Sequence, residues 1–123
     1  MEFTGIVVAG DGRGRTIGFP TANLSLPEGH KVPRGVFSGC VCWDDEPTRR
    51  VVINVGSRPT FAGSDTVAVE IHVLDFDGDL YGRALVVHLG QKLRDEQRFG
   101  SVQELTQQIA VDIERARADG PCA

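Results

Sequence analysis

The chain has 123 residues, 41% of them hydrophobic and 24% charged, with a formal net charge of −4. That length suits one domain (1–123) with a single core, and the acidic balance argues against broad binding to nucleic acid or anionic membrane, so an anionic ligand needs local basic groups. No apolar run approaches a membrane span and the N-terminus lacks the layout of a signal peptide, which makes the cytoplasm the expected location.

Phe3 to Val8 is a β-branched, apolar run that reads as a first strand. It feeds Gly10-Asp11-Gly12-Arg13-Gly14-Arg15-Thr16-Ile17-Gly18, whose glycines let a backbone bend around phosphates and whose arginines supply fixed positive charge. No Gly-Lys-Ser/Thr follows, so this is not a P-loop; a mobile turn with solvated arginines is the plain alternative. The loop closes on Phe19-Pro20-Thr21-Ala22-Asn23. On an extended backbone Thr21 and Asn23 point to one face, and two neutral oxygens there suit a Mg²⁺ whose other ligands are nucleotide phosphates and water.

Leu24 to Leu26 is a short second strand stopped by Pro27. Gly35 to Trp43 is a third, and Arg50 to Val55 a fourth that leads into a loop of turn residues, Gly56 to Phe61. The cysteines number three; the odd count argues against a disulfide framework. Cys40 and Cys42 alternate with Val41 and read as buried free thiols. Thr66 to Leu74 is the cleanest strand, with Val67, Val69, Ile71 and Val73 on one face and Ala68, Glu70, His72 and Leu74 on the other. Asp77-Gly78-Asp79 is a turn, and Ala84 to Leu89 a returning strand that would complete a hairpin. Short strands with glycine and proline punctuation and no helical period before residue 90 favour an antiparallel barrel or sandwich, and the modest length favours a small barrel (about 3–92). The period then changes. Ser101 and Glu104 have capping-box spacing, and Val102, Leu105, Ile109, Ile113 and Ala116 form the apolar stripe of one helix (about 101–118) that ends near Gly120-Pro121.

Glu70 interrupts a strand whose other face is aliphatic, with His72 beside it. Either the two simply face solvent from a half-exposed sheet, or Glu70 is a general base for a substrate hydroxyl on a rigid platform. Leu93-Arg94-Asp95-Glu96-Gln97-Arg98-Phe99 joins the last strand to the helix. Asp95, Glu96 and Arg98 read as an exposed connector, with Phe99 a staple on the helix start; Arg94 and Phe99 also suit a pocket for a planar ligand.

Several stretches together resemble the riboflavin kinase family, a module also found as the C-terminal half of bacterial bifunctional FAD synthetases. They are Gly5 to Asn23 with Gly-Phe-Pro-Thr-Ala-Asn, Pro33 to Gly39, Asn54 to Phe61, Val69-Glu-Ile-His-Val-Leu-Asp-Phe76, Gly78 to Gly82, and Leu93 to Phe99 with the helix. The resemblance implies a mainly β, six-stranded antiparallel Greek-key-type barrel with one helix packed on it. It also implies transfer of the ATP γ-phosphate to the 5′-hydroxyl of riboflavin, giving FMN, with Mg²⁺. Thr21 and Asn23 then fall on the metal-nucleotide residues and Glu70 on the catalytic base. Gly10, Gly12, Arg13, Gly14, Arg15 and Gly18 fall on the segment that folds over the nucleotide, and Arg94 and Phe99 on the flavin side. No adenylyltransferase domain precedes Phe3, so FAD synthesis is not expected of this chain; such a domain, fused or separate, is the expected partner. A flavin- or nucleotide-binding barrel without turnover is the alternative function. An oligonucleotide-binding barrel would need a basic face with interleaved aromatics, which a chain 7% aromatic does not offer.

Overall fold

The structure is a computed structural model and describes residues 1–8, 19–26, 31–59, 65–76, 78–120 and 122. Six strands close into a barrel: β1 (Glu2–Val8), β2 (Ala22–Ser25), β3 (Gly35–Cys42), β4 (Arg49–Pro59), β5 (Asp65–Val73) and β6 (Ala84–Arg94), followed by one helix, α1 (Val102–Ala118). The order around the barrel is β1-β2-β5-β4-β3-β6, with every pairing antiparallel. Strands β3, β4 and β5 are consecutive neighbours and β6 returns beside β3, which is Greek-key connectivity.

Strand alternation sorts the residues. Val51, Ile53, Val55, Val69, Ile71, Leu85 and Val87 point inward and are at most 1% exposed; they fill the barrel with β-branched and γ-branched side chains that suit the pleat. On the outside, Val36, Val52, Leu74 and Leu93 form a second cluster that receives Ala116 and Ile113 of α1. The helix starts as its sequence dictates. Ser101 Oγ accepts from the Glu104 backbone N–H at 3.2 Å, and the Glu104 carboxylate reaches back to the Gly100 N–H at 3.0 Å.

Four expectations are corrected. The expected β5–β6 hairpin does not form, because β5 lies between β2 and β4 while β6 lies between β1 and β3. Strand β4 runs on to Pro59, with Gly56 paired to Ala68 and Pro59 to Asp65, so residues read as a loop extend a two-stranded ribbon. Strand β6 likewise runs past Leu89 to Arg94. Its register against β3 shifts twice, and each shift places one extra residue on β6, which curls it around the barrel. Close approach there requires glycine: a Cβ at Gly90 would stand 2.6 Å from the Ser38 carbonyl oxygen, and one at Gly39 would stand 2.5 Å from that of His88. Finally, Cys40 is not a free thiol but is bridged to Cys122; Cys42 is free and half-buried. An odd count leaves one thiol over, and it cannot say which pair the fold brings together.

Candidate active site

The candidate base stands in a row set by strand register. On β5, Glu70 pairs with Asn23 of β2 on one side and with Asn54 of β4 on the other. Directly paired residues share a face, so all three project from the barrel exterior, as the inward Ile53, Val55, Val69 and Ile71 on their strands require. Glu70 and Asn23 are half-buried and Asn54 is exposed. A carboxylate thus sits between two neutral amides, with no like charge across either strand.

The approach to Asn23 is fixed by His72, two residues along the same face of β5. Its Nδ1 lies 2.8 Å from the Pro20 carbonyl oxygen, so Nδ1 carries the proton and donates. The Phe19 ring meets the imidazole edge-on, with centroids 6.1 Å apart. His72 therefore ties down the segment that carries Thr21 and Asn23. Thr21 is exposed and Ala22 pairs with Ile71, which leaves both candidate oxygens on the Glu70 side of the sheet. These are neutral, hard donors, suited to a divalent cation that brings phosphate and water as further ligands. Among the described residues no group of three His, Cys, Asp or Glu side chains could hold a metal ion by itself. Gly10, Gly12, Arg13, Gly14, Arg15 and Gly18 lie outside the described residues.

Arg94 and Phe99 are brought together, but Arg94 is engaged by the protein. Its Nε and Nη2 grip Asp112 of α1 at 2.9–3.2 Å and its Nη1 donates to the Asp95 carbonyl at 3.1 Å, while the Phe99 ring lies 5.7 Å beneath the guanidinium. Asp112 is 2% exposed and also accepts from Gln108 at 3.0 Å. Arg94 is thus the lock between β6 and the helix, and it fixes the connector from Asp95 to Phe99. Lys92, 2.5 Å from Asp95, holds that carboxyl below its ordinary value. The connector runs over the exterior of β4, where Glu96 rests against Gly56.

The sequence alone does not single out Asn54 or Asp112 as individual residues, while Glu96 is exposed on the connector as its composition implies. Asn54 stands between the core residues Ile53 and Val55 like any outward strand residue, so only the register links it to Glu70. Asp112 did carry a signal: it falls within the stripe Leu105, Ile109, Ala116 as a charge on the buried side.

Comparison with known proteins gives first the fold and then the family. A riboflavin kinase from Trypanosoma brucei superposes with a TM-score of 0.68 over 95% of this chain and 77% of that one; at 24% identity this is likeness of fold. A Streptococcus pneumoniae structure described as a macrolide-efflux protein reaches a TM-score of 0.87 at 37% identity, over 94% of this chain and 38% of that one. The Flavokinase model, described as riboflavin kinase, matches residues 1–119. The chain belongs to the riboflavin kinase family. The bifunctional riboflavin kinase/FMN adenylyltransferase of Escherichia coli (strain K12) is 47% identical over 117 residues, which are 95% of this chain and 37% of that protein. Its counterpart in Bacillus subtilis (strain 168) is 38% identical, over 91% of this chain and 36% of that protein. The chain therefore spans little more than a third of the length of the curated relatives it matches.

Proposed function

We propose that this chain transfers the γ-phosphoryl group of ATP to the 5′-hydroxyl of riboflavin, giving FMN and ADP, and that it does so in the cytoplasm. The observation that carries the reading is Glu70, held on a rigid strand between Asn23 and Asn54 within a chain of this family. In the reaction the hydroxyl oxygen bonds to the γ-phosphorus as the bond to the β,γ-bridging oxygen breaks; Glu70 accepts the hydroxyl proton and ADP takes the departing electron pair. Such a transfer depends on position and charge more than on covalent chemistry.

Thr21 and Asn23 would hold Mg²⁺ with the nucleotide. When bound, the ion neutralises charge on the transferred phosphate. His72 keeps both side chains on the Glu70 side of the sheet by holding the Pro20 carbonyl. Gly10, Gly12, Arg13, Gly14, Arg15 and Gly18 supply the backbone amides and positive charge for the phosphates. Arg94 and Phe99 serve the flavin by fixing the connector beside the acceptor. An FMN adenylyltransferase domain, fused or separate, would use the product.

The test is direct: purified protein, ATP, Mg²⁺ and riboflavin, with the flavins separated by chromatography. Appearance of FMN that depends on ATP is expected. Tight flavin or nucleotide binding with no FMN would make the chain a binding barrel instead.

A further inference from the structure

The two amides beside Glu70 face different neighbours. Asn23 lies on the side of the Pro-Thr-Ala-Asn segment, whereas Asn54 lies on the side of β3 and the connector that leads into α1. Asn54 is exposed; it stands between Ile53 and Val55, both 0% exposed, and so points outward. Its side chain makes no hydrogen bond among the described residues. The next outward positions are Gly56 on β4 and, directly across from it, Ala68 on β5. Gly56 lies about 7 Å from Asn54 along the strand. Glu96 stands over it: a Cβ on Gly56 would lie 2.6 Å from Glu96 Oε1.

We infer that Asn54 is a specificity-determining residue that binds the hydroxyl chain of the acceptor. This inference rests on the riboflavin reading above. A hydroxyl both donates and accepts, and a carboxamide offers an acceptor and two donors, so one Asn can take a hydroxyl in either orientation. A hydroxyl that has settled on Glu70 is within reach of Asn54, because directly paired side chains start about 5 Å apart at Cβ. A neutral amide at this position also leaves the base undisturbed, whereas a carboxylate would repel it across the strands.

The experiment compares two flavins that share a ring. Riboflavin carries the hydroxyl chain; lumiflavin has a methyl group in its place. Affinities for both are measured by flavin fluorescence in the parent, Asn54→Ala and Asn54→Val, the last being a good strand former without a hydrogen-bonding group in case the alanine variant folds poorly. In Asn54→Ala, riboflavin is expected to bind about 5–10-fold more weakly and lumiflavin within about twofold of the parent, as suits the loss of one or two neutral hydrogen bonds. A structural role would weaken both alike, so an unchanged riboflavin-to-lumiflavin ratio in the folded variants overturns the inference. If the parent makes FMN and the ratio does not move, only the role of Asn54 falls. If the parent neither binds riboflavin nor makes FMN, the underlying reading falls with it.

Discussion

Glu70 shows how far one side chain depends on its strand. It is half-buried on β5, with an amide paired to it on each side, so its geometry is fixed by backbone register rather than by a loop. Glu70→Gln keeps the volume and the strand but cannot take a proton; a loss of FMN formation of about 10²–10⁴-fold is expected, with riboflavin and nucleotide affinities little changed. Near-parental turnover by a folded Glu70→Gln protein would remove the base assignment. On the proposed Mg²⁺-nucleotide site, Asn23→Ala and Thr21→Ala would each withdraw one neutral oxygen. They should weaken Mg²⁺-nucleotide binding, measured by calorimetry, by about tenfold or more while riboflavin affinity in the absence of metal stays near parental. Equal losses for both ligands would mean that these side chains only shape the segment.

At the scale of elements, the contacts that hold the helix to the barrel include the apolar cluster around Ala116, the Arg94–Asp112 lock, the Arg115 bond to the Leu93 carbonyl and the Arg117–Asp75 pair at the helix end. The lock is buried, with side-chain exposures of 16% and 3%. Asp112→Ala strands a guanidinium among apolar neighbours, a change that typically costs about 3–5 kcal/mol. Urea denaturation should show that loss, and flavin affinity should fall with it because Arg94 fixes the connector. A denaturation midpoint equal to the parent's would show that the cluster alone seats the helix. The Arg117 pair is exposed and behaves differently. Its guanidinium donates to Asp75 at 2.7 and 2.8 Å and holds that carboxyl below its ordinary value of 3.8. A carboxylate depressed on folding contributes stability that is complete above its unfolded-state pKa and is lost as the pH falls through the lower folded-state value. The gap in stability between parent and Asp75→Asn should therefore be constant from pH 8 to pH 5 and shrink below about pH 4. A gap that widens on acidification would contradict the pairing.

For the whole molecule, the C-terminal tail closes the structure. Arg50 donates to the Gly120 carbonyl from Nε at 3.0 Å and from Nη2 at 2.7 Å, Ser38 donates to Asp119, and Cys40 on β3 is bridged to Cys122, 82 residues away. A loop of that length, closed covalently, restricts the unfolded chain by about 4–5 kcal/mol on the loop-entropy estimate. Oxidised parent protein should thus unfold at higher urea than reduced parent or Cys122→Ser, and thiol titration of the oxidised protein should find Cys42 alone. Three reactive thiols, or a midpoint insensitive to reductant, would show that the bridge does not fasten the tail. A reducing cytoplasm would keep this pair as thiols, so the oxidised and reduced stabilities are both properties of the protein.

The sequence by itself determined the strands, the helix and its cap, because period-two and period-3.6 patterns and the Ser101–Glu104 pair act within a few residues of the chain. It also marked Glu70, Thr21 and Asn23, since a carboxylate on an aliphatic strand and two oxygens at strand spacing are local features. What only the tertiary structure decided is who stands beside whom. Strand register made Asn54 the second neighbour of Glu70, and the extra residues on β6 carried that strand to Arg94. Closure of the barrel put Cys40 against Cys122 and denied β5 and β6 their hairpin. Each of these depends on contacts between residues distant in the chain, and such contacts leave no period for a sequence pattern to reveal. Asp112 lies between the two cases: its place in the apolar stripe was legible, but the arginine that makes its burial tolerable is eighteen residues back, on another element.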